Sequence, residues 1–228
     1  MKIISHRGGA AFGLENSATA IKTSLEYNVD AIELDIRYTK DGHAVLIHDH
    51  TTERVAETSL NVHNSTLKEL KAIKLKNGER LLTLEEALQI IDNRLPVYLD
   101  IKDFSTVRSF VQTLNKFPKT EVTLTGRIHH FVKAAAEEHG DTDFLVQSHF
   151  GPFEIIQTAK KLNATGITLN AWLLNPLTYR LVKRANLRLC IYTVNNPIVM
   201  WFIGKFYNDV WVNTNVPDRY VTKKRKKA

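Results

Sequence analysis

The sequence contains, at residues 31–48, the stretch AIELDIRYTKDGHAVLIH. We interpret it as two strands, Ala31–Tyr38 and His43–His48, joined by Thr39-Lys40-Asp41-Gly42. A connection this short permits only an antiparallel hairpin, because a parallel crossover needs roughly a dozen residues. Asp-Gly is moreover a preferred hairpin turn. The stretch therefore predicts a hairpin.

Strand-like segments continue along the rest of the chain, and amphipathic helical segments separate them. Repeated strand–helix order predicts a parallel sheet, and about eight uninterrupted units favour a closed barrel over an open sheet. The further strand candidates are Lys2–Ser5, Pro96–Ile101, Glu121–Thr125, Phe144–Ser148, Gly166–Asn170, Arg188–Val194 and Val210–Thr214. We therefore predict an α/β fold: a single TIM-type (β/α)8 barrel with a short hairpin or insertion after the second strand.

Several helix starts are marked in the sequence. Thr66 and Thr83 are each followed three residues later by Glu, the pattern of a capping box. Asn175-Pro176 and Asn196-Pro197 fit an N-cap followed by proline in the first turn, and Gly151-Pro152 is a candidate start of another helix.

Composition sets the class of protein. The 228 residues suit one barrel, which typically needs about 250. No stretch of about 18 apolar residues occurs, so no stable membrane insertion is expected. The single cysteine, Cys190, excludes an intramolecular disulfide and favours a reducing compartment. We expect a cytoplasmic protein, and its oligomeric state is left open.

Much of the net charge of +7 lies at the end of the sequence. Lys223-Lys224-Arg225-Lys226-Lys227 follows the last apolar residue, Val221, and accounts for +5. We divide the chain into a barrel domain, residues 1–222, and a basic disordered tail, residues 223–228. Peripheral contact of the tail with an anionic membrane remains an alternative. The remaining excess of +2 does not indicate a nucleic-acid-binding protein.

Two acidic residues lie on the second predicted strand. Glu33 and Asp35 are two positions apart and therefore point to the same face. Burial of both is costly unless a cation neutralises them, and their oxygens suit Mg²⁺ or Ca²⁺. Pairing with Lys or Arg on the barrel rim is the alternative. His48 faces Asp35 if Asp41-Gly42 forms the turn, and Glu33 if Lys40-Asp41 does, so both registers place it on the carboxylate face.

Further polar residues lie where other predicted strands end. His6 and Arg7 follow the first strand, and Asp100 and Lys102 end the strand that begins at Pro96. Sites of barrel enzymes form at these carboxyl ends. Arginine suits phosphate oxygens, and two histidines can exchange protons near neutral pH. Asp100 could complete a ligand set, whereas Lys102 could neutralise phosphate or orient a carboxylate; a plain Asp–Lys ion pair is the alternative.

Taken in order, these motifs resemble those of the glycerophosphodiester phosphodiesterases. The resemblance rests on His6-Arg7-Gly8, Glu15-Asn16, Ile32-Glu33-Leu34-Asp35, Thr39-Lys40-Asp41-Gly42, His48-Asp49, Thr83-Leu84-Glu85-Glu86, Leu99-Asp100-Ile101-Lys102 and Tyr192-Thr193-Val194-Asn195. It implies a TIM-type barrel that hydrolyses glycerophosphodiesters to sn-glycerol 3-phosphate and an alcohol. The matched positions are the acid–base residues His6 and His48, the metal ligands Glu33 and Asp35, and the phosphate-binding residues Arg7 and Lys102.

Three positions depart from the family's usual pattern. Leu14 stands for Pro, Asp100 for Glu and Asn215 for Asp. Asp100 matters most, because we expect one Mg²⁺ or Ca²⁺ to be held by Glu33, Asp35 and Asp100. The attacking group is either water or the substrate's own hydroxyl, which would give a cyclic phosphate first.

Two other functions remain open at this stage. A lysophospholipase D would use the same chemistry on a lipid and would need an apolar mouth. Candidates for that mouth are Phe12, Phe150, Phe153 and Trp172. A catalytically silent phosphate- or polyol-binding barrel is the other alternative, for which Asp100 and Asn215 are the hints.

Overall fold

A closed barrel of eight parallel strands forms the centre of the molecule. A computed structural model describes residues 1–140, 142–148 and 151–224. Its strands are β1 (Lys2–Ser5), β2 (Ala31–Tyr38), β3 (Ala44–Leu46), β4 (Val97–Ile101), β5 (Val122–Gly126), β6 (Phe144–Gln147), β7 (Gly166–Asn170), β8 (Arg188–Tyr192) and β9 (Trp211–Thr214). β1 pairs in parallel with both β9 and β2, which closes the barrel. The predicted fold is confirmed, including the surplus strand β3, which is antiparallel to β2.

Helices connect successive barrel strands. They are α1 (Ala18–Ser24), α2 (Leu67–Ala72), α3 (Leu84–Ile91), α4 (Val107–Leu114), α5 (His129–Glu138), α6 (Pro152–Leu162), α7 (Pro176–Arg184) and α8 (Pro197–Phe206). Both predicted capping boxes form, at Thr66 and Thr83. The side chains of Asn175 and Asn196 accept hydrogen bonds from first-turn amides of α7 and α8, as their sequence predicted.

The hairpin after β2 has a register that differs from both predicted ones. The Thr39 amide donates to the carbonyl oxygen of His43 at 3.0 Å, so that the loop has three residues rather than two. Gly42, the last of them, has φ +82°, a left-handed conformation that completes such a loop at little cost in a glycine. Both predicted pairings were therefore wrong by one residue. β3 also ends at Leu46, so strand alternation does not orient His48.

The segment between β3 and α3 has a small hydrophobic core of its own. This second cluster packs beside the main core, which lies between the barrel and its helices. Its members include Val45, Ile47, Val55, Val62, Leu70 and Leu81. The cluster fixes an insertion at the carboxyl end of β2, where the predicted site residues lie.

The chain after the barrel returns to α1. The Lys224 amide donates to the carbonyl oxygen of Glu26 at 2.7 Å, and Lys223 forms an isolated bridge with Tyr27. These two lysines belong to the predicted tail, whose remaining residues, 225–228, lie outside the described part. Within the described residues, every helix is too short or too polar to cross a bilayer.

Candidate active site

A cavity of about 230 Å³ lies at the carboxyl ends of the barrel strands. Six of the seven predicted site residues line it: His6, Arg7, Glu33, His48, Asp100 and Lys102. The seventh, Asp35, lies beneath its wall, fully buried, and contacts Lys102. All seven residues therefore converge on one place.

Three buried carboxylates form an acidic cluster at this cavity. Oxygens of Glu33, Asp35 and Asp100 lie within 4.8 Å of one another. Burial, followed by the charges of Asp35 and Asp100, raises the pKa of Glu33 well above its usual value. Burial acts the same way on Asp35, but the nearby cationic groups, Lys102 first, outweigh it and lower the pKa of that carboxyl. The three carboxyl groups therefore differ in how readily they ionise, although they share one small volume.

Lys102 provides the closest positive charge. Its Nζ lies 2.9 Å from Asp35 Oδ1 and 2.5 Å from Asp100 Oδ2. Burial lowers the pKa of Lys102, but the surrounding carboxylates outweigh it and the pKa is raised. The sequence left two roles open for Lys102, neutralising phosphate or orienting a carboxylate. The observed contacts with Asp35 and Asp100 fit the second role.

The donor set of the acidic cluster fits a hard divalent cation. Asp100 Oδ1 is buried and has no hydrogen-bond partner among the described residues, so one acceptor is available. Carboxylate oxygens are the ligands that Mg²⁺ and Ca²⁺ prefer, and three carboxylates lie together here beside Lys102 and Arg7.

His6 is oriented by a neutral amide. Its Nδ1 lies 2.6 Å from Asn215 Oδ1, which can only accept, so Nδ1 carries the hydrogen. Nε2, 3.8 Å from Glu33 Oε2, is then the unprotonated nitrogen of the neutral ring. Burial lowers the pKa of His6, against the opposing charge of Asp35 and the hydrogen bond to Asn215. His6 is therefore prepared to accept a proton near neutral pH.

His48 is oriented by a carboxylate instead. Its Nδ1 lies 2.7 Å from Asp49 Oδ1. Burial opposes ionisation of Asp49, but hydrogen bonds from Arg54 and His48 outweigh it and lower its pKa to about 2. Asp49 is thus ionised over the neutral range and accepts the hydrogen bond that orients the His48 ring. The two histidines are therefore oriented by different partners, an amide and a carboxylate.

The turn after β1 places Arg7. Its backbone has φ +53°, an uncommon left-handed value for a residue with a side chain. In this conformation the Arg7 amide donates to Glu33 Oε2 at 2.7 Å. The turn continues through Gly9, where a Cβ atom would lie 2.3 Å from Ser24 Oγ. A larger residue at position 9 would therefore displace the Ser24 side chain. The guanidinium pairs with Glu15 at 3.0 Å, whereas Nε is buried without a hydrogen-bond partner.

Sequence reasoning missed several residues that support the site. Arg54, in the insertion, bridges Asp49 (2.6 Å) and Glu15 (2.6 Å), and so connects the partners of both His48 and Arg7. Asn16 Nδ2 donates to Asp35 Oδ2 at 2.9 Å. Its position beside Glu15 in a quoted motif was a usable signal, whereas nothing in the local sequence marked Arg54.

Arg127 was also missed, although a signal was present. It lines the cavity and directly follows β5. Residues that follow a barrel strand are the usual source of site side chains, so its position marked it as a candidate.

The comparison with known proteins agrees with this geometry. The sequence model described as "Glycerophosphoryl diester phosphodiesterase family" matches residues 6–219. The chain therefore belongs to the glycerophosphoryl diester phosphodiesterase family.

Three similar proteins illustrate the range of the match. A glycerophosphodiester phosphodiesterase of Caldanaerobacter subterraneus subsp. tengcongensis is 40% identical over 44% of this chain and 44% of its own length. A human lysophospholipase D is 26% identical over 63% of this chain and 51% of its own. An Oleispira antarctica phosphodiesterase, solved in complex with the product sn-glycerol-3-phosphate, shares the fold, with a TM-score of 0.87 and 18% identity over 96% and 94% of the two chains. The aligned segments thus span about half the length of these two curated relatives.

Proposed function

We propose that this chain hydrolyses glycerophosphodiesters to sn-glycerol 3-phosphate and an alcohol. One observation carries the proposal: a single cavity brings together an acidic cluster, a neutral histidine and a histidine paired with a carboxylate. Family membership and the fold shared with a structure that holds sn-glycerol-3-phosphate support it.

The acidic cluster would hold one divalent cation, Mg²⁺ or Ca²⁺. Its ligands would be Glu33, Asp35 and Asp100, with Lys102 orienting two of them. When bound, such a cation neutralises phosphate charge and stabilises the charge that develops during displacement.

The histidines would divide the proton transfers between them. His6 would accept the proton of the attacking hydroxyl at Nε2, because Asn215 fixes the hydrogen on Nδ1. His48 would donate a proton to the leaving alkoxide, with its ring oriented by the hydrogen bond between Nδ1 and Asp49. The attacking hydroxyl belongs either to water or to the glycerol of the substrate, in which case water opens a cyclic phosphate in a second step.

Arg7 would bind the phosphate. Its Nε is buried without a hydrogen-bond partner among the described residues, 3.8 Å from Asp35 Oδ2, and Arg7 lines the same cavity as both histidines. Arg127 adds a second guanidinium to the lining of this cavity. Arginine forks match phosphate oxygens well, so these two residues are the candidates for substrate charge.

Incubation with glycerophosphocholine tests the proposal directly. We expect release of sn-glycerol 3-phosphate with added Mg²⁺ or Ca²⁺ and its loss with a chelator. Turnover that survives exhaustive chelation would refute the metal requirement. Binding of glycerophosphate without turnover under any divalent cation would favour the silent phosphate- or polyol-binding alternative.

A lysophospholipase D activity is a second candidate, favoured by apolar side chains near the mouth. Trp172 follows β7 and is 92% exposed, and Phe153 in the first turn of α6 is 59% exposed. Phe12 instead stacks on Tyr27, and Phe150 lies outside the described residues. Hydrolysis of lysophosphatidylcholine but not of glycerophosphocholine would establish this activity over the first.

Asn215→Asp is expected to shift the pH dependence of kcat/KM. A carboxylate beside Nδ1 stabilises the imidazolium form of His6, so its pKa rises and the acidic limb moves to higher pH. In the parent, burial is the largest influence on the His6 pKa and lowers it, Asp35 raises it, and Arg7 and Lys102 lower it. An acidic limb that stays in place, measured from pH 4 to 9, would remove His6 as the base.

Substitutions of Asp100 are expected to show whether it binds the cation or only pairs with Lys102. Asp100→Ala should weaken binding of a divalent cation by at least about tenfold and lower turnover, because it deletes the acceptor that has no partner. Asp100→Glu, with a longer reach, should keep or improve the affinity. Calorimetric titration with Mg²⁺ and Ca²⁺ measures both. If Asp100→Ala binds like the parent, Asp100 only pairs with Lys102, and Glu15 becomes the next ligand candidate.

A further inference from the structure

The outward stripe of α8 is apolar where a helix on a soluble barrel is normally polar. Ile198, Trp201, Phe202 and Phe206 recur at helical spacing on the exposed side, whereas Met200 and Ile203 face the core. Trp201 is 62% exposed and Ile198 75%. This stripe includes one basic residue, Lys205, whose Nζ lies 4.9 Å from the centre of the Trp201 ring.

Exposed apolar side chains also lie on α7 and in the loop before it. Aromatic contacts connect the two helices. The ring centre of Tyr207 lies 6.3 Å from that of Phe202 and 4.9 Å from that of Tyr179 on α7. Leu177, in the first turn of α7, is 58% exposed. The exposed apolar side chains of α8, called here the aromatic face, are Ile198, Val199, Trp201, Phe202 and Phe206.

The aromatic face lies in a segment without acidic residues. Between Glu154 and Asp209 the sequence contains seven Lys or Arg and neither Asp nor Glu, and Asp209 itself pairs with Lys183 and Tyr179. Arg180 and Arg184 are exposed on α7, one turn apart, and Lys205 is exposed on α8. Arg180, Arg184 and Lys205 therefore leave an excess of positive charge beside the apolar rings, which suits a partner that is apolar at its centre and negative around it.

We propose that the aromatic face docks on the surface of an anionic lipid bilayer. Aromatic and aliphatic side chains bordered by Lys and Arg are the composition that binds at the boundary of headgroups and acyl chains. Self-association is disfavoured, because pairing two copies through this face would bring like charges together. α8 begins at the carboxyl end of β8, so Ile198, at the start of the aromatic face, lies at the end of the barrel that holds the cavity.

Co-sedimentation of the full chain with vesicles tests the inference without any turnover. Vesicles of phosphatidylcholine with phosphatidylglycerol should bind the parent chain more tightly than vesicles of phosphatidylcholine alone. The double substitution Trp201→Ala/Phe202→Ala should weaken binding to the anionic vesicles by at least about tenfold. Loss of even one aromatic side chain that is buried on binding has about this effect. Lys205→Glu should also weaken vesicle binding, and the effect should be larger at low salt than at high salt.

Two matched variants serve as controls. Phe104→Ala removes an equally exposed ring, 62%, from the loop after β4, and Lys68→Glu reverses an exposed charge on α2; both should bind vesicles like the parent. Hydrolysis of soluble glycerophosphocholine should be unchanged in Trp201→Ala/Phe202→Ala, because neither ring lines the cavity. The proposed activity can therefore fail or hold independently of the docking.

Three results would overturn the docking. The first is a parent chain that binds anionic vesicles no more tightly than vesicles of phosphatidylcholine alone. The second is unchanged vesicle binding in Trp201→Ala/Phe202→Ala. The third, from sedimentation velocity, is a dimer of the parent chain that this double substitution dissociates, which would assign the aromatic face to a second copy.

Discussion

Replacing either His6 or His48 by alanine is expected to lower turnover of glycerophosphocholine by roughly 10²–10⁴-fold, the usual size of an acid–base contribution. Each imidazole lines the cavity and has one nitrogen fixed by a neighbour, Asn215 or Asp49. The effect should appear in kcat more than in KM, because proton transfer belongs to the transition state. The double variant should lose little more than the single ones, since the histidines act in one reaction.

Folding should change little in these variants. Loss of the hydrogen bond between His6 and Asn215 costs about 1 kcal/mol, and the His48 side chain is about one-third exposed. His43→Ala is the matched control, because this histidine lies in the same hairpin but is 53% exposed and outside the cavity. Near-normal kcat in the His6 or His48 variant, with His43→Ala also normal, would exclude that residue from the mechanism.

Lys102→Met is expected to destabilise the metal-free chain by roughly 3–5 kcal/mol, the cost of breaking a buried ion pair by removing one partner. The ammonium contacts Asp35 and Asp100, and without it the acidic cluster repels itself. Urea denaturation with a chelator present measures the free energy of unfolding. Millimolar Mg²⁺ or Ca²⁺ should restore more stability to Lys102→Met than to the parent, because the cation replaces the missing charge.

Lys116→Met provides the comparison for this experiment. Lys116 pairs with Glu85 at 2.7 Å, but both side chains are largely exposed, and such surface pairs contribute only about 0–1 kcal/mol. An equal loss of stability in the two variants, or no difference in their response to the cation, would contradict the role assigned to Lys102.

The barrel could be predicted because its signals are local. Strand residues such as those of β2 and β7 are apolar and β-branched over short runs, and helix starts are marked by residues such as Thr83 and Asn196. The predicted strands begin and end within a few residues of the observed ones. The hairpin register was missed because Lys40, Asp41 and Gly42 form a three-residue loop, and one extra loop residue changes the pairing without altering the hydrophobic pattern.

The part of the candidate site that lies on or directly after barrel strands was predictable from the sequence. Glu33 and Asp100 lie on β2 and β4, so strand alternation and the common end of the barrel bring them together. Arg54 was missed because its contacts with Asp49 and Glu15 depend on how the insertion folds, which no local pattern specifies. The contrast between His6 and His48 likewise depends on partners that only tertiary structure supplies.

The hydrogen bond between His6 and Asn215 spans 209 positions of the chain. β1, which precedes His6, is held between β2 and β9, and β9 ends one residue before Asn215. A ribosome making this protein therefore synthesises both histidines and all three acids well before the residue that orients His6. The unfinished chain carries the reactive groups but not their arrangement, and the proposed hydrolysis would begin only once the last strand has joined the first.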